Sequence, residues 1–305
     1  MTTYLVTGAQ GYVGKYLTRA LLDGRAEAMV IGIGRAPHDG ESLDRYGYER
    51  TDLLDSARVR EVLLRHRPVR IFHLAASARH ADREQIVRTN VIGTVSLLEA
   101  IASIEGYRPR VIIASSGGVY GALDDDQLPA SESAPCIPVD VYGASKLAAE
   151  HMSRIIGERH GVCVVAARIF NVCGPGQDED HVCGRFAAQL RPGNGEIRVG
   201  NLGATRDFID VRDVAAALVV IGERGACGEA YNVSTGDEMP IASILDRMIR
   251  ISGFTGAVAQ DEALRPLPDV PRHYGDVTRL RELGFVPRHR IDESLRDLIT
   301  GQARP

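Results

Sequence analysis

A glycine-rich turn at residues 7–14 sets the strongest limit on how this chain can fold. The segment Thr7-Gly8-Ala9-Gln10-Gly11-Tyr12-Val13-Gly14 follows a short apolar run and precedes a stretch of helical period. Glycines suit a strand-to-helix turn that must bend sharply, approach a pyrophosphate closely and pack the helix on a sheet. The helix N-terminus then offers free N–H groups to phosphate. The pattern predicts dinucleotide binding by Gly8, Gln10, Gly11, Tyr12, Val13 and Gly14.

Short apolar runs alternate with longer segments of helical period along the first half of the chain, as in βαβ units. Predicted strands cover Tyr4 to Thr7, Met29 to Ile33, Arg70 to Ala75, Arg110 to Ser115 and Val162 to Phe170. Predicted helices cover Gly11 to Leu22, Ala81 to Ser103 and Tyr142 to Gly157. We therefore expect an α/β fold, a Rossmann-type doubly wound parallel sheet.

The character of the chain changes at about Gly174, where turn residues begin and the elements become shorter. Glu196 to Val199 and Asp207 to Ile221 are the clearest later segments, and prolines mark a loop from Asp261 to Tyr274. We expect a smaller α/β substrate-binding lobe there. The predicted division assigns residues 1–165 and 205–233 to the dinucleotide-binding domain, and residues 166–204 and 234–305 to the lobe.

Composition favours a small-molecule enzyme over a nucleic-acid or membrane protein. The formal net charge is -4, so no basic surface is expected, and no apolar run approaches the roughly 20 residues that span a bilayer. The first residues lack a secretion signal, and we expect a cytoplasmic location. The cysteines, Cys136, Cys163, Cys173, Cys183 and Cys227, form no CxxC pair and are expected to be reduced thiols. No metal site is expected, because neither His nor Cys shows ligand spacing.

The end of the second predicted strand bears on the choice of cofactor. An acidic residue there commonly accepts a hydrogen bond from the ribose 2′-hydroxyl of NAD. Here Gly34 stands in that place and Arg35 follows, and an arginine can pair with a 2′-phosphate. NADP(H) is therefore favoured, while NAD(H) stays open. Asp52 and Leu53 are expected near the adenine.

Tyr142 and Lys146 are four residues apart, so they share one face of a predicted helix. A phenol is a poor proton donor at neutral pH, and a nearby ammonium brings its pKa toward the working range. Ser115 and Ser116 stand at the end of a predicted core strand, at the sheet edge where ligands bind in open α/β folds. A serine hydroxyl at that place can polarise a substrate carbonyl. Tyr142, Lys146 and a serine of this pair form the predicted catalytic set.

The sequence resembles the extended short-chain dehydrogenase/reductases that act on nucleotide sugars, across nearly its whole length. The resemblance rests on the glycine turn, His73-Leu74-Ala75-Ala76, Ser116, Tyr142 with Lys146, Arg168 through Gln177, Thr205 through Val211, and Tyr231-Asn232-Val233. It implies cofactor contacts from Leu74, Ala75, Ala76, Asn90, Tyr142 and Lys146. It also implies substrate contacts from Ser116, Gly117, Asn171, Val182, Arg185, Arg206, Arg265 and Asp269, and it implies a homodimer.

Within that family, the residue pattern around Ser116 is similar to that of GDP-4-keto-6-deoxy-D-mannose reductases. Dehydratases carry an acidic residue just after the strand-end serine or threonine, where this chain has Gly117 and Gly118. The leading hypothesis is NAD(P)H-dependent reduction of a 4-keto-6-deoxy sugar nucleotide. A nucleotide-sugar 4-epimerase with tightly bound NAD is the alternative. A redox-sensing binding module is disfavoured, because Tyr142 and Lys146 are both present.

Overall fold

The computed structural model describes residues 2–38, 43–77, 81–264 and 270–301. The strands are β1 (Thr2–Thr7), β2 (Ala28–Gly34), β3 (Tyr46–Arg50), β4 (Arg70–His73), β5 (Arg110–Ser116), β6 (Cys163–Ile169), β7 (Asn171–Cys173), β8 (Glu196–Val199), β9 (Thr205–Arg206), β10 (Phe208–Asp210), β11 (Ala230–Val233), β12 (Met239–Pro240), β13 (Ala257–Gln260) and β14 (Arg272–His273). The α-helices are α1 (Tyr12–Asp23), α2 (Ser56–His66), α3 (Arg83–Val87), α4 (Gly93–Ala102), α5 (Val141–His160), α6 (Val182–Gln189), α7 (Val211–Arg224), α8 (Ile241–Ser252), α9 (Thr278–Glu282) and α10 (Ile291–Thr300).

A seven-stranded sheet in the order β11-β6-β5-β4-β1-β2-β3 forms the centre of the structure. All of its strand pairs are parallel. The strand order reverses between β1 and β4, which in doubly wound sheets marks the place where ligands bind. The predicted Rossmann-type fold is confirmed.

Both faces of the sheet are covered by helices, which explains the continuous apolar runs of its strands. Tyr4 and Val6 of β1 pack on one side in a core shared with α1 and α7. Leu5 points to the other side, into a core shared with α2 and α4. This burial on both faces stabilises the sheet and leaves the carboxyl ends of its strands as the place for a ligand site.

A smaller set of elements lies beside the carboxyl edge of the sheet. Phe186 of α6, Ile197 of β8, Met248 of α8 and Leu295 of α10 share a separate core. β6 runs inside the large sheet through Ile169, whereas β9 belongs to a three-stranded sheet with β12 and β14. We therefore propose a lobe boundary after residue 169 and a return near residue 207, a few residues beyond the bounds expected from sequence.

The long helix expected from Ala81 to Ser103 is divided in three. α3 and α4 flank a π-helical turn over Arg88–Ile92, which carries Asn90. Such turns insert an extra residue and re-aim a side chain, often at functional sites. β3 and α2 were missed by the sequence analysis, because short amphipathic segments give a weak periodic signal.

The expectation of five reduced cysteines is wrong for two of them. Cys163 opens β6 and Cys227 lies in the loop before β11, and the pairing of these parallel strands brings their Cα atoms to 4.9 Å. The two residues form a disulfide across 64 positions of sequence. Cys173 and Cys183 are free and buried in the smaller core, as expected of small apolar residues.

Within the described ranges, no helix is long and apolar enough to cross a membrane. The same residues contain no group of three or more His, Cys, Asp or Glu side chains that could hold a metal ion.

Candidate active site

The glycine turn after β1 is packed so closely that side chains are excluded from it. Gly8 has φ +69°, and a Cβ added there would stand 2.8 Å from the Ala75 backbone nitrogen. A Cβ on Gly14 would stand 2.3 Å from the Gly8 carbonyl oxygen. Gly11 caps α1 without any side-chain hydrogen bond, which leaves the first N–H groups of the helix to the cleft. The turn therefore fits a pyrophosphate, as predicted from its glycines.

Gly14→Ala is expected to weaken cofactor binding about a hundredfold, because the new methyl group meets backbone atoms that cannot move aside cheaply. Titration of NADPH fluorescence measures the dissociation constant. Gly195→Ala is the matched control, since nothing lies within 4 Å of a Cβ at that position. An unchanged dissociation constant in Gly14→Ala would contradict the assignment of this turn.

A cleft of about 620 Å³ runs from the glycine turn to the smaller lobe. The turn and the ends of β4 and β5 form one wall, and α6 with the loops around β8 and β9 form the other. Residues along it include Gly8, Gly11, Tyr12, Val13, Gly14, Leu74, Ala76, Ser116, Tyr142, Lys146, Asn171, Val182, Arg185 and Arg206. The structure thus brings most of the predicted cofactor and substrate residues into one cavity.

Tyr142 and Lys146 lie in the first turns of α5, which begins at the cleft. The Asp140 side chain caps this helix by accepting a hydrogen bond from the Gly143 N–H at 2.7 Å. The Lys146 Nζ lies 5.7 Å from the centre of the Tyr142 ring and donates to the Ala114 carbonyl at 2.8 Å. Burial lowers the pKa of Lys146 to about 8. The lysine can therefore gain and lose a proton near neutral pH beside the phenol.

Ser116 ends β5, where its Oγ accepts a hydrogen bond from the Gly118 N–H at 3.1 Å. The next position has no room for a side chain. A Cβ on Gly117 would stand 2.8 Å from His273 and 3.1 Å from the Phe170 ring. His273 stacks on Phe170 at 4.7 Å, and its Nε2–H donates to the Gly117 carbonyl at 2.9 Å. Among the residues that the structure describes, the groups nearest to position 117 are therefore aromatic rings and not carboxylates.

His73 holds the end of β4 through hydrogen bonds on both of its ring nitrogens. Thr94 donates its single hydroxyl proton to the Asn90 carbonyl at 2.6 Å, so it must accept from the His73 Nε2–H at 2.8 Å. The His73 Nδ1 then accepts from Thr7, whose oxygen also accepts from the Ala75 N–H. Burial lowers the pKa of His73 to about 3, so the ring is neutral. Through Thr7, the ring helps to fix the backbone at Ala75.

Asn90 is buried, and its side chain contacts protein groups. Its Oδ1 accepts from the Ser77 N–H at 2.7 Å, and its Nδ2 donates to the Ser145 hydroxyl at 2.9 Å. Ser145 donates to the Tyr142 carbonyl. The Asn90 side chain thus ties α5 to the loop after β4. The cofactor contact that the resemblance implied for Asn90 stays a prediction.

The residues predicted near the adenosine half lie around the ends of β2 and β3. Arg35 is exposed, and its carbonyl accepts from the Arg50 Nε at 2.8 Å. Asp52 is exposed and caps its own turn by accepting from the Leu54 N–H, whereas Leu53 is buried. Their contact with adenine stays a prediction.

An aromatic cluster beside this region was missed. His38 lies 5.4 Å from Tyr48 and 5.5 Å from Tyr46, measured between ring centres. The ring also contacts Gln10 of the glycine turn at 2.5 Å. Only the register of β3 beside β2 brings these groups together, so no sequence motif could have revealed the cluster.

Predicted substrate residues occupy the far half of the cleft. Asn171 donates to the Asp207 carbonyl at 3.1 Å, and Arg206 donates to the Val270 carbonyl at 2.8 Å. The Asp207 carboxylate accepts from Thr235, which holds the backbone next to Arg206. Val182 and Arg185 lie on α6 along the cleft. The predicted contacts Arg265 and Asp269 lie outside the described residues.

Several residues along the cleft were not predicted. They are Gln177, Asp180, His181, Arg198 and Asn201. Arg198 stands on β8, where alternation with the buried Ile197 and Val199 could have marked it as facing away from the core. His181 precedes α6 and pairs with Asp178 at 2.7 Å. The far half of the cleft is thus richer in polar and charged groups than the sequence indicated.

Comparison with known proteins identifies relatives over almost the whole chain. The family model "NAD dependent epimerase/dehydratase family" matches residues 4–234. GDP-6-deoxy-D-mannose reductase of Pseudomonas aeruginosa is 30% identical, covering 97% of this chain and 95% of the relative. UDP-glucose 4-epimerase of Mycolicibacterium smegmatis is 35% identical, covering 95% of each. The solved structure of RMD from Pseudomonas aeruginosa complexed with NADPH superposes with a TM-score of 0.85 at 28% identity, over 99% of this chain and 98% of that one.

Proposed function

Since this chain belongs to the NAD dependent epimerase/dehydratase family, we propose that it reduces the 4-keto group of a nucleotide-linked 4-keto-6-deoxyhexose. The chain is an extended short-chain NAD(P)-dependent oxidoreductase that acts on a nucleotide sugar. The observation that carries the finer proposal is the meeting of Ser116, Tyr142 and Lys146 in one cleft, where the described groups packed against Gly117 are the rings of Phe170 and His273. A GDP-linked substrate is favoured by the likeness to the Pseudomonas aeruginosa reductase.

Reduction needs one proton donor at the ketone oxygen and one group that stabilises the growing charge. The bound nicotinamide cofactor supplies the hydride. Tyr142 gives its proton to the oxygen, and Ser116 donates a hydrogen bond to the same atom. Lys146 holds the cofactor ribose and favours loss of the phenol proton. A dehydratase would also need a base beside Ser116, and Gly117 leaves no space for one.

The nucleotide diphosphate provides the binding energy that places the ketone. We assign the binding of the diphosphate to Arg185 and Arg206, which lie along the far half of the cleft. Asn171 is assigned to the sugar. Arginine suits this role because its planar donors match phosphate oxygens in pairs. Arg265 and Asp269, which lie outside the described residues, are also proposed to contact the nucleotide, as the family resemblance implies.

NADPH is the proposed cofactor, because β2 ends in Gly34, at the place where NAD-binding proteins commonly carry an acidic residue, and Arg35 follows it and can pair with a 2′-phosphate. Arg35→Ala should weaken NADPH binding about tenfold, because one charge-assisted hydrogen bond to the 2′-phosphate is lost. NADH binding should stay nearly unchanged, because NADH has no 2′-phosphate. Paired titrations with both cofactors measure the ratio, and NADH serves as the internal control. Equal weakening of both cofactors would contradict the assignment.

A nucleotide-sugar 4-epimerase is the second candidate, favoured by the 35% identity with the Mycolicibacterium smegmatis enzyme. The same Ser116, Tyr142 and Lys146 serve that reaction, with the hydride returned to the opposite face of the sugar. The reductase and the epimerase differ in whether the cofactor stays bound during purification. Denaturing the purified protein and measuring the released nucleotide tests this: a reductase should release little and need added NAD(P)H, whereas an epimerase should release about one NAD per chain.

We propose a homodimer formed through α4 and α5 and the elements beside them. The exposed apolar side chains there include Val87, Ile92, Met152 and Ile155. Exposed apolar groups on neighbouring helices suit burial against a second copy. Sedimentation should give twice the chain mass, and Met152→Glu with Ile155→Glu should give the monomer.

A further inference from the structure

A buried ion pair lies directly behind the catalytic helix and strand. Glu150 stands one turn after Lys146 on α5, and Arg168 stands on β6 opposite Ser115 of β5. The Arg168 Nη2 donates to the Glu150 Oε2 at 2.8 Å, and its Nε donates to the Oε1 at 3.1 Å. Both side chains are 9% exposed. Such a forked, desolvated pair is geometrically fixed.

The remaining polar atoms of this pair are also occupied. The Ser115 hydroxyl donates to Glu150. The Arg168 Nη1 donates to the Tyr120 hydroxyl and to the Glu132 carbonyl, each at 3.0 Å. Glu150 and Arg168 also line a second cavity of about 220 Å³, behind the sheet and separate from the active-site cleft. The pair is therefore a fixed charge arrangement, held by Ser115 at Glu150 and by Tyr120 and Glu132 at Arg168.

Burial disfavours the charged form of Lys146, so a nearby negative charge is needed to stabilise its ammonium group. Its Nζ bonds a neutral carbonyl, that of Ala114. The charged and titratable groups facing it from the packed elements are Tyr142 and Glu150 of α5, neutral His73 of β4 and, behind Glu150, Arg168 of β6. Glu150 raises the pKa of Lys146 against the effect of burial. Arg168 pairs with the same carboxylate and offsets part of its negative charge. The two residues should therefore have opposite effects on the charge of Lys146.

We propose that Glu150 and Arg168 are positioning residues that set the charge of Lys146, Glu150 by favouring the ammonium and Arg168 by limiting that influence. This inference rests on the role proposed for Lys146 in the reductase. Neither Glu150 nor Arg168 is among the described residues that line the active-site cleft. It predicts opposite effects from removing its two members, whereas a purely structural role predicts similar damage from both.

The chain contains only two lysines, Lys15 and Lys146, which makes a direct titration practicable. Protein labelled with ¹³C at the lysine Cε should give two NMR signals, and Lys15→Arg assigns them. Glu150→Gln should move the Lys146 midpoint down by about one pH unit, and Arg168→Gln should move it up. Glu158→Gln is the control, since Glu158 lies on the same helix in an exposed pair with Arg154 and should leave the midpoint unchanged.

An unchanged midpoint in Glu150→Gln, or a fall in both variants, would overturn the proposal. Should a single variant not fold, the double variant Glu150→Gln, Arg168→Met removes both charges together, which buried pairs tolerate better than the loss of one. Its midpoint should lie below that of the wild type, because Glu150 acts on Lys146 directly; no fall would again overturn the proposal.

The titration uses no substrate, so it stands or falls independently of the proposed reaction. Where turnover is measured, the alkaline limb of kcat should move in the same direction as the midpoint in each variant. Midpoints that shift while the pH profile of kcat stays fixed would remove the pair from the reaction. Absence of turnover with shifted midpoints would contradict the proposed substrate and leave the role of the pair supported.

Discussion

Tyr142→Phe is expected to lower kcat for the ketone reduction by about 10³-fold or more, the usual loss when a positioned proton donor is removed. The ring and its 5.7 Å contact with the Lys146 ammonium persist in phenylalanine, so the helix should stay intact. The dissociation constant of NADPH should therefore change less than about threefold, since the phosphate turn lies elsewhere. Stopped-flow or steady-state loss of NADPH absorbance measures kcat, and fluorescence titration measures binding.

Tyr107→Phe is the matched control for this substitution. The Tyr107 hydroxyl donates to the Pro68 carbonyl at 2.7 Å, in the loops before β4 and β5. Its removal should cost about 1 kcal/mol of stability and leave kcat unchanged. Retention of kcat within tenfold in Tyr142→Phe would contradict the assigned mechanism.

Cys227→Ser is expected to lower the free energy of unfolding by about 3 kcal/mol. The disulfide with Cys163 closes a loop of 64 residues, and loss of that constraint enlarges the entropy of the unfolded chain. Chain-entropy arithmetic gives about 4 kcal/mol, and measured losses commonly fall below it. Urea unfolding followed by circular dichroism measures the difference.

Two controls separate the crosslink from the loss of a thiol. Cys136→Ser removes a free, half-buried cysteine and should cost about 1 kcal/mol or less. Wild-type protein in excess dithiothreitol should unfold like Cys227→Ser. A wild-type midpoint that is indifferent to the reductant would contradict a stabilising disulfide.

The parts of the site that come from one continuous segment could be predicted from sequence. Gly8, Gly11 and Gly14 lie in one turn, and Tyr142 with Lys146 lie on one helix, so local spacing alone places them. The parallel, doubly wound character of the central sheet followed from the alternation of strands and helices. These segments needed no knowledge of which strands are neighbours beyond the usual topology.

The parts that depend on register or on a local irregularity could not be predicted. Cys163 meets Cys227, and Arg168 meets Glu150, only because β6 lies between β5 and β11. The π-helical turn at Asn90 changes where that side chain points, and no spacing rule indicates the extra residue. In physical terms, these contacts are set by tertiary packing and not by local periodicity.

The proposed reduction of a nucleotide-linked 4-keto-6-deoxy sugar with NAD(P)H can be tested directly by following the cofactor. Purified protein should be mixed with NADPH or NADH and enzymatically generated GDP-4-keto-6-deoxymannose, while absorbance at the reduced nicotinamide band is followed. We predict substrate-dependent loss of one reduced cofactor per sugar converted, faster with NADPH. No consumption of either cofactor, with tightly held NAD released on denaturation, would contradict the reductase and favour the epimerase.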